Sequence, residues 1–321
     1  MTRGSAAGGG RNGILRPLRH GLLTTGLVLL VCAVLAAFAG TALASASARL
    51  ATATGRAVGV VDGVRDDGAV PVRWTPPGAT ERVDAVPVAG TPPASGTRIE
   101  VAFDPARPDR PLVPGAEELV AADRALTALA LTVVVAVLVL GVLAWQVVTR
   151  RRAFGQPART VAVRRVRWQA GLATRSYLET DTHPRRFLPV HFDPVLVGLP
   201  SPTAARLHGD PLRDRWVAAT VAGPDGERPL VPSGPVRTEE PRGRRTDNAA
   251  RPDDTAPARA ATLARMRRQL RADLPLVVPA PFLGLLWTYV DRGSPSTWLA
   301  VTALAAALGL WLAALRGSDP S

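Results

Sequence analysis

Long apolar runs separated by polar segments dominate the chain, and they predict helices that cross a membrane. Four runs reach or approach the roughly 20 apolar residues that a helix needs to span a bilayer. We expect the third run to pack on the fourth as a hairpin despite Pro275, Pro279 and Pro281, because neighbouring helices can satisfy backbone groups that proline leaves free. The predicted transmembrane helices are residues 21–44, 125–148, 274–290 and 297–315.

Between the first two spans, residues 45–124 alternate apolar and polar positions in short runs separated by Gly and Pro. Such alternation is typical of strands with one buried face, and the Gly and Pro clusters are typical of turns between them. The pattern predicts a small antiparallel sheet or barrel of four or five strands. Its apolar face is predicted to contain Val72, Trp74, Ile99, Val101 and Phe103.

Residues 149–237 show similar short alternating runs and predict a second β-rich domain. Residues 238–259 are polar and lack apolar periodicity, which predicts a disordered linker. A basic helix is expected over 260–273, with Leu263, Met266 and Leu270 on one side and arginines on the others. The predicted fold class is an α-helical membrane protein with four transmembrane helices and small antiparallel all-β domains on each side of the membrane. Residues 1–20 and 316–321 would be terminal tails.

Three short motifs of the first β region recur in the second, in the same order. They are "VRW" at 72–74 and 166–168, "FDP" at 103–105 and 192–194, and "RPLVP" at 110–114 and 228–232. Their spacing differs between the two regions. Both a diverged duplication and coincidence within a biased composition fit these echoes.

The charge distribution predicts the orientation of the spans. All 39 basic residues are arginine. Residues 1–20 carry four arginines and no acidic residue, residues 45–124 carry nine arginines and eleven acidic residues, and residues 149–273 carry twenty-four and thirteen. Because basic residues near membrane spans stay on the cytoplasmic side, we expect a multi-pass protein of the cell (inner) membrane with both termini and residues 149–273 cytoplasmic. Residues 45–124 would then be extracytoplasmic.

The first span raises two questions of processing. Cys32 is the single cysteine of the chain, and no small residue precedes it as in a bacterial lipidation site, so we interpret it as an apolar helix residue. Small residues at Ala42 and Ala44 fit signal-peptidase cleavage, but the apolar run is longer than a signal peptide normally has. We expect an uncleaved anchor, with cleavage as the alternative.

The last predicted strand of the first region leads into an aromatic-Asp-Pro turn, with Gly96, Ile99, Val101, Phe103 and Asp104-Pro105 as the matching residues. This arrangement resembles a family of bacterial, actinobacterial-like membrane proteins that carry a small all-β domain of unknown function between two transmembrane helices. The resemblance covers about residues 50–115 and the two flanking spans. It implies a membrane-tethered, non-enzymatic unit with no assigned ligand.

The chemistry-bearing residues form no pattern that we assign to a site, so we expect no catalytic, cofactor-binding or metal-binding residues and no enzymatic activity. Two His-x-Asp pairs could in principle present four ligands to zinc. Both aspartates precede proline, however, where aspartate starts turns for backbone reasons. We interpret all four as strand and turn residues of the second domain, and they are His191, Asp193, His208 and Asp210.

Other function classes find little support. The predicted spans contain no ionisable residue, which disfavours transport, and the arginines are interspersed with acids and few aromatics, which disfavours nucleic-acid binding. The expected partners are the lipid bilayer, including anionic inner-leaflet lipid attracted to helix 260–273, and unidentified proteins. The leading hypothesis is a structural or interaction protein, and the alternative is an envelope sensor. A cleft of polar groups in the first domain would favour sensing, and a flat apolar patch would favour assembly.

Overall fold

The computed structural model describes residues 9–66, 68–171, 173–224, 226–251, 253–291 and 293–321. Its helices include four that are long and apolar enough to cross a membrane, which confirms the predicted number of candidate spans. The helices are α1 (Gly9–Thr52), α2 (Glu117–Phe154), α3 (Ala256–Leu263), α4 (Met266–Asp273), α5 (Ala280–Val290) and α6 (Pro295–Arg316).

The first two helices continue well past the predicted spans. Helix α1 has 44 residues and α2 has 38, whereas roughly 20 suffice to cross the apolar core. Small helix-forming residues extend α1 to Thr52, and Glu117 and Glu118 favour the start of α2 because acidic groups complement the positive end of a helix dipole. Each helix therefore has additional turns beyond the apolar stretch that could cross the membrane.

Helices α5 and α6 form the predicted hairpin. A 3₁₀ turn at Leu274–Leu276 follows α4, and α5 starts only at Ala280, because the prolines interrupt regular helix. The two helices approach closely at Gly284, where a Cβ would come within 2.2 Å of Thr302 Oγ1. The Trp298 indole N–H donates to the Pro281 carbonyl at 3.1 Å, so a neighbouring helix contacts the proline-rich backbone as expected.

The chain divides into two compact units, residues 32–135 and the remainder. In the first unit, five antiparallel strands form the first β domain, in the order β3-β2-β1-β4-β5. A bridge between Val88 and Ala116 joins the ends of the two edge segments, so the sheet is partly closed into a barrel. The strands are β1 (Gly55–Val61), β2 (Ala69–Trp74), β3 (Arg82–Pro87), β4 (Arg98–Asp104) and β5 (Arg107–Leu112).

The core of the first β domain is the apolar face that the sequence predicts. Val72, Trp74, Val101 and Phe103 are buried, and Ile99 packs against them half-buried. The Trp74 and Phe103 rings lie 4.9 Å apart, and the Trp74 indole N–H is satisfied by Asp84 at 2.9 Å. The predicted strand phase is therefore confirmed.

The second β domain is a larger antiparallel sheet with the order β11-β10-β9-β6-β7-β8, and β12 pairs with the far half of β6. Bridges from Val190 to Pro232 and from Phe187 to Arg237 pair β8 with the segment after β11. The sheet thereby closes into a barrel around an apolar core. Its strands are β6 (Ala158–Ala170), β7 (Ala173–Thr180), β8 (Phe187–Val190), β9 (Thr203–His208), β10 (Ala218–Gly223), β11 (Gly226–Leu230) and β12 (Arg244–Asp247).

The two β domains share a strand order but not the echoed motifs. In each domain the first strand lies between the second and fourth, the third lies beyond the second, and the fifth lies beyond the fourth. The "VRW" motif lies in the second strand of one domain and the first strand of the other. The "FDP" motif begins in the last two residues of the fourth strand in one domain and follows the third strand in the other. The motifs thus occupy non-equivalent strands, and the likeness of the domains rests on topology alone.

Two predictions for residues 238–273 are corrected. The segment predicted to be a disordered linker contains β12, because Arg245 reaches the buried Glu179 carboxylate at 2.7 Å and lies over the Trp168 ring. The predicted single helix 260–273 is divided between α3 and α4 at Ala264 and Arg265. Contacts between polar side chains and buried partners order this region. The periodicity of apolar residues does not predict such contacts.

Candidate functional site

The four residues considered as zinc ligands make hydrogen bonds with other groups and form no common cluster in the described part of the chain. Asp193 Oδ1 accepts from Val195 N at 2.9 Å and starts a 3₁₀ turn, and Asp210 Oδ1 accepts from Leu212 N at 3.0 Å, a bond that lowers the pKa of Asp210. His208 ends β9 and contacts Thr220 Oγ1 at 3.0 Å. The interpretation of both aspartates as turn residues is confirmed. Among the described residues, no cluster of three or more His, Cys, Asp or Glu side chains could hold a metal.

His191 instead belongs to a buried cluster of polar residues near the C-terminal end of α2. Its Nε2 lies 2.7 Å from a terminal nitrogen of Arg150, at the end of α2, and Arg150 also donates to the Pro232 carbonyl. Because a guanidinium can only donate, His191 Nε2 must accept, which requires the neutral imidazole with its proton on Nδ1. Burial, with the nearby charges of Arg150 and His20, holds the pKa of His191 well below its usual value.

A second buried contact joins α1 to α4. His20 Nε2 lies 3.2 Å from Asp273 Oδ2, and the Asp273 side chain is fully buried. On the preceding turn of α4, the Gln269 amide donates to the Ser318 carbonyl at 2.7 Å and to its hydroxyl at 2.8 Å. These polar groups fix α4 against the start of α1 and the segment after α6.

A third contact fixes residues 317–321 against the second β domain. Arg165 of β6 is 2% exposed and donates to Asp319 Oδ2 at 2.9 Å and to the Leu196 carbonyl at 2.8 Å. The Ser176 hydroxyl also bonds Asp319, and Asp319 N donates to the Thr174 carbonyl. The expectation of a terminal tail at 316–321 is corrected, because a buried ion pair holds this segment along β7.

We call these three contacts together the polar junction. It brings ionisable and hydrogen-bonding groups from α1, α2, α4 and the segment after α6 to the second β domain. A cavity of about 20 Å³ lies within it, lined by His20, His191, Gln269 and Ser318 among others, and could hold one water. A cavity of this volume is too small for a ligand larger than water.

The first β domain carries a polar cleft beside the C-terminal end of α1. It has a volume of about 440 Å³. An adjoining cleft shares Arg49, Asp109 and Arg110 with it and adds Glu117 and Glu118. Charged groups of both signs converge there, as a polar ligand requires. The larger cleft is lined by Arg49, Thr52, Ala53, Asp104, Arg107, Asp109, Arg110 and Leu112.

Sequence reasoning missed the polar junction for an identifiable reason. His20 and Asp273 lie directly before the first and third predicted spans, so neither span contains an ionisable residue from this contact. The corresponding helices of the structure continue through both positions. An acidic residue directly before an apolar run, in an otherwise basic segment, was the available signal. The contact between Arg165 and Asp319 joins residues far apart in sequence, and no local sequence pattern predicts it.

Comparison of the chain with models of protein families, with curated proteins and with solved structures finds no match in any of the three. The resemblance to the actinobacterial-like membrane family stays a prediction.

Proposed function

We propose that this is a multi-pass protein of the cell membrane that displays a β domain on each side and works by binding protein partners, without catalysing a reaction. The observation that carries the proposal is the polar junction. Its contacts attach the second β domain to helix ends, which suits a domain that must be held in a defined position. The charge asymmetry between residues 45–124 and 149–273 supports placing the domains on opposite sides.

The proposed orientation is tested by reporter fusions at Gly78, in a turn of the first β domain, and at Ser201, in a loop of the second. A periplasm-active reporter should give signal only at Gly78, and a cytoplasm-active reporter only at Ser201. The same sidedness at both positions would refute the orientation.

The exposed valines of the first β domain offer a test of partner binding. Val58 is 69% exposed and Val83 is 57% exposed, on the outward side of β1 and β3. Apolar side chains on an outward sheet face are candidates for a protein contact. We expect that crosslinking in the native membrane captures a partner whose recovery falls in a Val58→Glu variant. Val64→Glu, in an exposed loop position, serves as the matched control, and equal loss in both variants would contradict partner binding by this face.

A second candidate function, envelope sensing, is favoured by the polar cleft of the first β domain. A sensor must transmit a change in this cleft to the second β domain. We expect Arg110→Ala, in the cleft, to alter hydrogen exchange within residues 158–247, whereas Arg98→Ala, on exposed β4, should not. A change confined to residues 45–124 would favour the interaction role over sensing.

A further inference from the structure

We propose that the outward face of α4 binds the phosphate headgroups of anionic lipids. We define this basic face as Arg267, Arg268, Leu270, Arg271 and Leu274, all of which are exposed. The inference rests on the membrane location in the proposed function, and the first reconstitution step below tests that location separately.

The rotation of α4 about its axis is set by its polar side chains. Gln269 and Asp273 are buried and point toward Ser318 and His20, with Met266 half-buried on the same side. Leu270, by contrast, is 40% exposed and lies outside this buried side. The two hydrogen bonds of Gln269 and the ionic contact between Asp273 and His20 hold α4 in this rotation, since a buried amide or carboxylate without a partner would be costly.

As a result, α4 presents three arginines and Leu270 outward, and Leu274 follows directly after its last residue. Within the described ranges, Arg267, Arg268 and Arg271 make no ion pair. Some exposed arginines elsewhere pair with acids, for example Arg206 with Glu227 and Arg259 with Asp253. The positive charge of the basic face is therefore available to an external anion.

The continuity of α4 with a candidate span identifies that anion. The candidate span Met266–Val290 consists of α4, the 3₁₀ turn and α5, so the polar helix α4 leads directly into the apolar part of that span. Leu274 is 55% exposed and lies beside Arg267 and Arg271 on the helix surface, so the face combines apolar and cationic groups. Helices of this kind lie at headgroup depth with arginine on anionic phosphate and leucine toward the acyl chains.

The test uses the full-length protein in nanodiscs of phosphatidylcholine and of a phosphatidylcholine–phosphatidylglycerol mixture. Lipids retained by the protein are counted by native mass spectrometry. We expect the wild-type protein to retain phosphatidylglycerol in preference to phosphatidylcholine. The variant Arg267→Gln/Arg268→Gln/Arg271→Gln should lose this preference by about fivefold for each arginine removed. A matched control removes the same charge from exposed positions of the second domain, as Arg213→Gln/Arg242→Gln/Arg244→Gln.

The outcomes separate the possibilities. Loss in the α4 variant with retention in the control supports the proposal. Equal losses in both variants would show a general charge effect and overturn it, as would a wild-type protein with no lipid preference. Protection of α4 from hydrogen exchange by inorganic phosphate in pure phosphatidylcholine discs would indicate a phosphate site independent of lipid and would also overturn it. Failure to enter nanodiscs at all would refute the membrane location instead.

Discussion

The buried ion pair between Arg165 and Asp319 provides the sharpest test of the polar junction. Replacing Asp319 by alanine removes the only carboxylate that Arg165 contacts among the described residues. The guanidinium would keep three neutral acceptors, which are the Leu196 carbonyl at 2.8 Å, the Asn248 side-chain oxygen at 3.3 Å and the Ser176 hydroxyl at 3.4 Å. Because Arg165 is only 2% exposed, water cannot replace the lost partner while the surrounding structure stays closed.

The expected cost follows from this burial. Breaking a buried ion pair by removing one partner typically costs about 3–5 kcal/mol, because an uncompensated charge remains in the interior. Release of residues 317–321 would readmit water to Arg165, so we expect a value near the lower end, about 3 kcal/mol. The effect should be concentrated on β7 and on the segment from Gly317 to Ser321.

Native-state hydrogen exchange on the full-length protein in nanodiscs measures the opening free energy of the β7 amides. Asp181→Ala is the matched control, because it breaks an exposed ion pair with Arg164, the neighbour of Arg165 on β6, and should cost about 0–1 kcal/mol. The double variant Arg165→Met/Asp319→Ala should be less destabilised than Asp319→Ala alone, since no charge is then stranded. In that variant the Asn248 amide still donates to the Leu196 carbonyl at 2.9 Å.

Two results would refute this reasoning. A cost for Asp319→Ala no greater than that of the Asp181→Ala control would mean that the ion pair contributes little. The loss of stability in the double variant could also equal the sum of the losses in the two single variants. The two residues would then act independently, and Asp319 would not compensate the charge of Arg165.

Three further predictions concern other parts of the molecule. Phe103→Ala should destabilise the first β domain by about 3–5 kcal/mol, because the ring is buried against Trp74, and unchanged protease resistance would contradict this. The second β domain should lose stability as the pH falls below about 6.5, because His191 takes up a proton when unfolded but not when buried. In equilibrium unfolding, His191→Gln should abolish that component of the pH dependence. Gly284→Leu should disrupt the α5–α6 hairpin, since even a Cβ collides with Thr302, and unaltered crosslinking between cysteines introduced into the two helices would count against it.

The pattern of the sequence was sufficient for the elements that depend on local periodicity. Apolar length predicts the four candidate spans, and period-two alternation predicts the strands and the buried face of the first β domain, from Val72 to Phe103. These properties are local, because a helix or strand buries the same face wherever it packs. Turn chemistry is equally local, and the roles of Asp193 and Asp210 were correctly predicted from the proline that follows each.

The polar junction was decided by tertiary structure alone. The partners of Arg165, His20 and Gln269 lie far away in sequence, and a single polar residue has no periodicity that indicates where it points. The ordering of β12 and the rotation of α4 depend on the same kind of contact. Burial of a charge or an amide is favourable only when its partner is in place, so the assembled fold determines where such residues lie. The position of an apolar stripe is determined by the helix or strand that carries it.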